Sequence, residues 1–349
     1  MIISDCSERE LVARIQRQLA PPPDWLLVGI GDDGAVVEPE RNRVEVLTVD
    51  AIVEGVHFDR RFVPPDAIGH RALAVNLSDL AAMGAAPRLA LLSMVLPPDL
   101  PLDDFDRIIE GFASLAAKYR LHVAGGNLTR SPGPLVIDVT AVGTVKRRQA
   151  LTRTGAQAGD DLYVTGPIGS AAAGLMLLRD RSAAGAAVDA GQPTGDGPSP
   201  ADDCRLTTAY LRPEPRVRLG MLLSRNRAAS ACVDLSDGLA DAVHRIAEAS
   251  GVGATIDADA LPIEGSARAC FDARGIDAVT GALTAGDDYQ LLLAVRPRAH
   301  RRLSAAAHLA GAVLTRIGRC QREPDVLLQR SAGAAVDRTP LPQGYSHFR

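Results

Sequence analysis

The sequence predicts a two-domain chain of mixed α/β class. Its 349 residues exceed one ordinary domain, at roughly 150 residues each. Apolar residues make up 46% and charged residues 23%, a globular composition that excludes global disorder. Strand-type alternation and helix-type periodicity occur in both halves. They follow no strict β-α-β-α order and no short repeat.

Each element has its own signal. Residues 1–20 read as a helix with Leu11, Ile15 and Leu19 on one face, ended by Pro21-Pro22-Pro23. Residues 44–49 alternate and are β-branched, so a strand is expected there, ending at Asp50. An apolar helix follows over 66–83, then a buried strand over 89–96 closed by Pro97-Pro98. Residues 102–120 form an amphipathic helix with Phe105, Ile108, Ile109, Phe112, Leu115 and Tyr119 inward. Its acids Asp103, Asp104 and Asp106 suit the positive end of the helix dipole. A strand over 135–145 completes a first domain set at 1–147. The second domain, 148–349, opens on a Gly-rich turn region after Arg147-Arg148. Strands are expected at 161–165, 231–234, 289–295 and 313–318, and helices at 169–178, 216–223, 236–250 and 300–310. Residues 181–203, rich in Ala, Gly, Pro and Asp without periodicity, read as a mobile surface insert.

Several function classes fall away. Lys and Arg total 38 against 42 Asp and Glu, a net charge of −4, which argues against a general nucleic-acid binder. No apolar run approaches the roughly 18 residues of a membrane span, and the acidic start does not suit a signal peptide. A cytoplasmic protein is the expectation. The five cysteines (Cys6, Cys204, Cys232, Cys270, Cys320) form no C-x-x-C pair and read as small buried hydrophobes. No H-x-x-x-H pair exists, and neither lysine, Lys118 nor Lys146, follows a glycine as in a Walker A loop. Gly29-Ile30-Gly31-Asp32-Asp33-Gly34 matches G-x-G-x-x-G. The chain then runs towards a strand past Pro39 instead of into a helix, so a dinucleotide site is not expected. The glycines read as hinges of an acid-bearing loop.

The informative feature is where the aspartates fall. Asp32-Asp33 lies between glycines, Asp50 ends a strand, Asp234 and Asp237 bracket Leu235-Ser236, and Asp287-Asp288 follows Gly286. Asp79 shares a helix face with Ile68, Ala72 and Val75 at spacings i, i+4, i+7 and i+11. A carboxylate on so apolar a helix needs a partner; an arginine or a bound Mg²⁺ would serve. Hard oxygen donors with no Cys or His cluster suit Mg²⁺, which works with substrate phosphates. Ser236 reads as the N-cap of the 236–250 helix with Asp237 in its first turn, a place that also suits phosphate.

These motifs, in order, are Gly-Ile-Gly-Asp-Asp, Thr-Val-Asp-Ala-Ile-Val-Glu-Gly-Val-His-Phe, Asn-Leu-Ser-Asp-Leu-Ala-Ala-Met-Gly, Gly-Gly-Asn-Leu-Thr-Arg, Leu-Thr-Arg-Thr-Gly, Leu-Arg-Pro-Glu-Pro-Arg, Val-Asp-Leu-Ser-Asp-Gly-Leu, Ala-Gly-Asp-Asp-Tyr and Gly-Tyr-Ser-His-Phe. Over residues 29–348 the chain resembles the thiamine-monophosphate kinase family, within the superfamily of aminoimidazole ribonucleotide synthetase and selenophosphate synthetase. The resemblance implies an N-terminal α/β domain that pairs in a homodimer and a C-terminal α+β domain that completes a cleft. It implies transfer of the ATP γ-phosphate onto thiamine monophosphate with several Mg²⁺ ions. By motif position, Asp33, Asp50, Asp79 and Asp234 would hold ions that bridge phosphates, and Asp237 a further ion. Thr48 and the Val49 backbone would complete the shell near Asp50. Gly126, Arg153 and Ser236 would contact ATP, and His57, Asp287 and Tyr345 thiamine monophosphate.

Two departures stand out. The family's Gly-Gly-Asp is Gly125-Gly126-Asn127 here, which keeps an oxygen ligand but loses a charge. Its Gly-Gly-Glu-Asp-Tyr-Glu is Ala285-Gly286-Asp287-Asp288-Tyr289-Gln290, with Asp287 one methylene shorter than Glu. Two other readings stay open: another ATP-dependent enzyme of the superfamily, and a non-catalytic nucleotide-binding paralogue.

Overall fold

The chain divides into two units, Met1–Leu80 with Ala85–Arg148 and Ala81–Gly84 with Gln149–Arg349. The computed structural model describes residues 1–185, 200–332 and 335–345.

The first unit opens with helix α1 (Glu8–Gln18), shorter than the expected 1–20. Its start is set by a capping box, in which the Ser7 side chain accepts from Glu10 N–H and Glu10 Oε2 accepts from Ser7 N–H at 2.8 Å. Leu11 and Ile15 are buried; Leu19 is the C-cap residue and half-buried. Short strands β1 (Leu26–Val28) and β2 (Val36–Val37) pair antiparallel. Then follow β3 (Arg43–Val53), α2 (Pro65–Ala82), β4 (Ala86–Leu96), α3 (Leu102–Tyr119), β5 (His122–Arg130) and β6 (Val136–Lys146). β3 runs on through Asp50 to Val53, because its ladder with β6 continues to Val136.

The four long strands form one sheet in the order β3-β6-β4-β5, with β4 and β5 parallel across the α3 crossover. β5 was not expected, since Gly125-Gly126 argues against a strand. α2 is apolar on nearly every side and is buried accordingly: Leu73, Leu77 and Leu80 are each 0% exposed. Each such leucine contributes about 1.5–3 kcal/mol. α2 and α3 approach through glycines. A Cβ at Gly69 would stand 1.8 Å from Ile108 O, and one at Gly111 1.9 Å from Asp66 O. α3 has Asp103 and Asp104 in its first turn. Asp106 serves differently from expectation, pairing with Arg14 at 2.5 Å.

The second unit holds β7 (Asp161–Val164), α4 (Ser170–Ala183), α5 (Pro200–Leu211), α6 (Val217–Asn226), β8 (Ala231–Asp234), α7 (Leu239–Ser250) and β9 (Gly253–Asp257). After these come α8 (Gly265–Asp272), α9 (Ala278–Thr284), β10 (Leu291–Val295), α10 (His300–Ala310), β11 (Thr315–Gln321), β12 (Val326–Ala332) and β13 (Ala335–Pro340). The ends of the expected insert are helical, in α4 and α5, while its residues 186–199 lie outside the described residues. The seven strands order as β13-β12-β9-β11-β7-β10-β8, antiparallel except for β12 beside β9. β10 is covered on both faces, with every residue of Leu291–Val295 0% exposed. Val164, Val233, Ile256 and Ile317 pack in one core with Leu239, Val243, Phe271 and Leu283.

Two elements of this unit, α7 and β10, differ from expectation at functional positions. α7 begins at Leu239 with Gly238 as N-cap, so Ser236 is not a cap and the first-turn acid is Asp241. Gly238 is left-handed (φ 95°), and a Cβ there would stand 2.7 Å from Ala285 O. β10 starts at Leu291, because Tyr289 is itself left-handed. β11 lies two to three residues later than expected. Cys232, Cys270 and Cys320 are buried, whereas Cys6 is half-buried and Cys204 exposed. Among the described residues no helix is long and apolar enough to cross a membrane.

Candidate functional site

In the first unit the oxygen donors come from β3, α2 and the loops beside them. Side chains alternate along β3, so Thr48 and Asp50 share one face, opposite buried Ala141 and Val139 of β6. α2 brings Asp79 to that face, where the Thr48 hydroxyl donates to Asp79 Oδ2. The expected stripe exists: Ile68, Ala72 and Val75 are buried, and Asp79 ends it half-buried. Val49 points to the other face and is 60% exposed, which leaves only its backbone beside Thr48 and Asp50. Asn76, one turn before Asp79, is fully buried. Its Nδ2 donates to Ala72 O at 3.2 Å, and its Oδ1 has no hydrogen-bond partner among the described residues. Carboxylate, hydroxyl and orphaned amide oxygens with no thiol among them fit a hard cation such as Mg²⁺.

Asp33 is exposed on the loop from β1 to β2, which turns at Gly31 (φ 117°) and leads into no helix. The Asp33 N–H donates to Asp32 Oδ1 at 2.9 Å. His57 follows β3; its Nδ1 accepts the Val53 N–H at 3.0 Å, so the neutral ring carries its proton on Nε2. Gly126 and Asn127 are exposed in β5. A Cβ at Gly126 would lie 1.8 Å from Leu92 O, so strand pairing alone already requires glycine there.

Two cavities open along β5. One of about 470 Å³ is lined by Leu19, Leu26, Ile30, Ala113, Leu121 and His122, among others. Burial lowers the pKa of His122, which keeps it neutral near pH 7, and Trp25 meets it edge-on at 5.7 Å. The other, about 100 Å³, is lined by Gly125, Gly126 and Asn127 and shares Ile30 and Val123 with the first.

In the second unit three segments meet. Asp234 ends β8 and is 5% exposed. A Cβ at Gly286 would stand 2.2 Å from Ser236 O, and one at Gly344 2.5 Å from Asp237 O. The Asp287 N–H donates to Ser236 O at 2.9 Å and the Tyr345 N–H to Asp237 O at 3.1 Å. Ser236, Asp237, Asp287 and Tyr345 are thus brought together through backbone contacts across 108 residues of sequence separation, from Asp237 to Tyr345. Arg245 donates to Asp237 Oδ2 at 3.3 Å and also to Asp241. Arg153 is exposed on the loop before β7, its carbonyl accepting from Ser250 Oγ at 3.1 Å. Residues 346–349, which include the end of the Gly-Tyr-Ser-His-Phe motif, lie outside the described residues.

Among the described residues no three Asp, Glu, His or Cys side chains form a group able to hold a metal ion. Asp79 turns to Thr48 and Asp237 to Arg245. Carboxylates about 4 Å apart repel by roughly 4 kcal/mol at an effective dielectric of 20, so each takes a nearby donor. Asp288, Tyr289, Gln290 and Arg216 carry no expected site role. Arg216 Nε donates to Gln290 Oε1 at 2.8 Å, and Thr165 Oγ1 does so at 3.1 Å. The signal was present in the Leu-Arg-Pro-Glu-Pro-Arg and Asp-Tyr-Gln motifs, whose partners are 74 residues apart.

Residues 31–145 match the AIR synthase related protein N-terminal domain, and residues 157–329 its C-terminal domain. The chain is 34% identical over 330 residues to the thiamine-monophosphate kinase of Bacillus subtilis strain 168, covering 92% of this chain and 94% of that one. The crystal structure of the thiamine-monophosphate kinase of Stenotrophomonas maltophilia K279a superposes with a TM-score of 0.79 at 38% identity, over 94% of this chain and 98% of that one. AaThiL complexed with AMPPCP and TMP gives a TM-score of 0.73 at 29% identity, over 100% of this chain and 99% of that one.

Proposed function

The chain belongs to the AIR synthase related protein family and, within it, to the thiamine-monophosphate kinases, and on that premise we propose that it moves the γ-phosphoryl group of ATP onto thiamine monophosphate. A phosphate oxygen of thiamine monophosphate attacks the γ-phosphorus in line, the bond to the β-phosphate oxygen breaks, and thiamine diphosphate and ADP leave. The observation that carries the reading is likeness over the whole chain to a relative solved with an ATP analogue and TMP.

The residues present suit each task. The larger cavity along β5, lined mainly by apolar residues with Gln16 and one neutral histidine, suits a nucleotide base. Gly126 and Asn127 beside the smaller one suit its phosphates. Arg153 presents a planar fork to phosphate oxygens, and Ser236 a hydroxyl. His57, with its proton on Nε2, donates to an oxygen of the acceptor phosphate. Asp287 and the exposed Tyr345 ring suit the cationic thiazolium. Asp33, Thr48, the Val49 backbone, Asp50, Asp79, Asn127 and Asp234 would hold bridging Mg²⁺ ions, and Asp237 a further one. Bound Mg²⁺ supplies charge neutralisation between two phosphate-rich substrates. No general base is needed, because the attacking oxygen is already an anion.

The homodimer and the cytoplasmic setting belong to the same reading. The face of the first sheet away from α2 carries Leu47 and Val49 of β3 and Leu91 of β4, 66%, 60% and 40% exposed. Register places Leu91 and Val49 on either side of Thr140. An apolar sheet face of this kind suits pairing with a second copy.

The test is chromatography of products from purified protein with ATP, Mg²⁺ and thiamine monophosphate. Thiamine diphosphate with one ADP per product is expected, and none under excess chelator. ATP consumed or bound without thiamine diphosphate across a Mg²⁺ titration would overturn the reading.

A further inference from the structure

Residues 285–290 carry two non-glycine residues in the left-handed region, Asp287 at φ 71° and Tyr289 at φ 47°. Such residues persist only where their surroundings over-determine them. On one side, Asp287 N–H donates to Ser236 O and Tyr289 N–H to Leu235 O at 3.0 Å. On the other, Asp288 sends its carboxyl to the start of α4. Oδ2 accepts the Gly169 N–H at 2.7 Å and Oδ1 the Ala171 N–H at 3.2 Å. The N-cap residue of α4 is Gly169, which has no side-chain acceptor of its own. Asp288 therefore satisfies orphan donors of a helix 117 residues away. Burial pushes the Asp288 carboxyl up to about 7, against the pull of those two N–H groups. Finally, the Tyr289 hydroxyl donates to Asp287 Oδ1 at 3.0 Å.

We propose that Asp288 and Tyr289 are positioning residues for Asp287: Asp288 ties the loop to α4 and so holds the Asp287 backbone left-handed, while the Tyr289 hydroxyl aims its carboxylate. This rests on the reading of Asp287 as a contact to thiamine monophosphate. It also accounts for a short side chain there. Aspartate has less reach than glutamate and fewer rotamers to correct a misplaced backbone, so the backbone must be held where the carboxylate is needed.

Steady-state kinetics, with thiamine monophosphate and ATP varied separately, test this on the wild-type chain, Asp288→Ala, Asp288→Asn and Tyr289→Phe. For Asp288→Ala the KM for thiamine monophosphate is expected to rise about tenfold or more, with the KM for ATP within about twofold. Asp288→Asn, which keeps one acceptor oxygen, falls between wild type and alanine. Tyr289→Phe raises the same KM about threefold, the order of one hydrogen bond. The proposal is overturned if the KM for thiamine monophosphate stays within about twofold of wild type, if both KM values rise together, or if only kcat falls. Should Asp288→Ala not fold, Asp288→Asn and Tyr289→Phe decide by the same criteria. A wild-type chain that makes no thiamine diphosphate overturns the underlying reading, whereas active wild type with unchanged variants overturns this proposal alone.

Discussion

Asp79 shows what a single residue discloses. Its spacing from Ile68, Ala72 and Val75 placed it at the end of an apolar stripe, and the structure puts it there half-buried. What spacing could not give was its partner. Thr48 lies 31 residues upstream on another element, and only packing brings its hydroxyl to Asp79. Asp79→Asn keeps the size and the hydrogen bond but removes the charge. We expect turnover to fall about 100-fold or more, as when one strong electrostatic contact to a reacting phosphate is lost. The urea midpoint should barely move. Near-normal turnover in a folded Asp79→Asn protein would remove Asp79 from the metal site. Asp288 lies at the other extreme. In the sequence it is only one of two adjacent acids, yet its carboxyl caps a helix more than a hundred residues earlier.

At the level of elements, periodicity located most helices and strands, and local chemistry decided their ends. Gly238 moved the start of α7 past Ser236, because a glycine at φ 95° can enter the helix where a serine cap was expected. β5 was missed for the opposite reason. Its two glycines weaken the strand signal, but Gly126 is required where Leu92 O would meet a Cβ at 1.8 Å. The α2–α3 crossing depends on the same device. Gly69→Ala or Gly111→Ala would drive a methyl group into a backbone carbonyl that cannot rotate away. Overpacking of this kind costs typically 1–3 kcal/mol, and we expect about 3 kcal/mol at either position. Equilibrium urea unfolding measures it, and a loss below about 0.5 kcal/mol would show that the two helices separate freely.

At the scale of the whole molecule, the first sheet leaves Leu47, Val49 and Leu91 exposed on the face where Leu89 and Val142 pack with Leu26. Exposed apolar residues gathered on one face call for a partner surface, and a second copy of the chain is the one proposed. Sedimentation of the wild-type protein is expected to give twice the chain mass of 36.7 kDa. Leu47→Asp combined with Val49→Asp should give the single-chain mass, because it places like charges on a surface that would otherwise be buried against its twin. A wild-type chain sedimenting at 36.7 kDa would rule out this pairing.

By itself the sequence determined the two-domain α/β class, most element positions and the residue types from which a phosphate and Mg²⁺ site would be built. These follow from composition, from periods of 2 and 3.6, and from motifs read within about ten residues. Tertiary structure alone decided which of those residues meet: Thr48 with Asp79, Asp288 with α4, and Tyr345 with Asp237. It also decided which glycines are obligatory. The physical reason is range. Backbone propensity and amphipathicity act between near neighbours, whereas hydrogen bonds and close backbone approaches join whatever the packed core brings together, as with Gly169 and Asp288 across 119 residues.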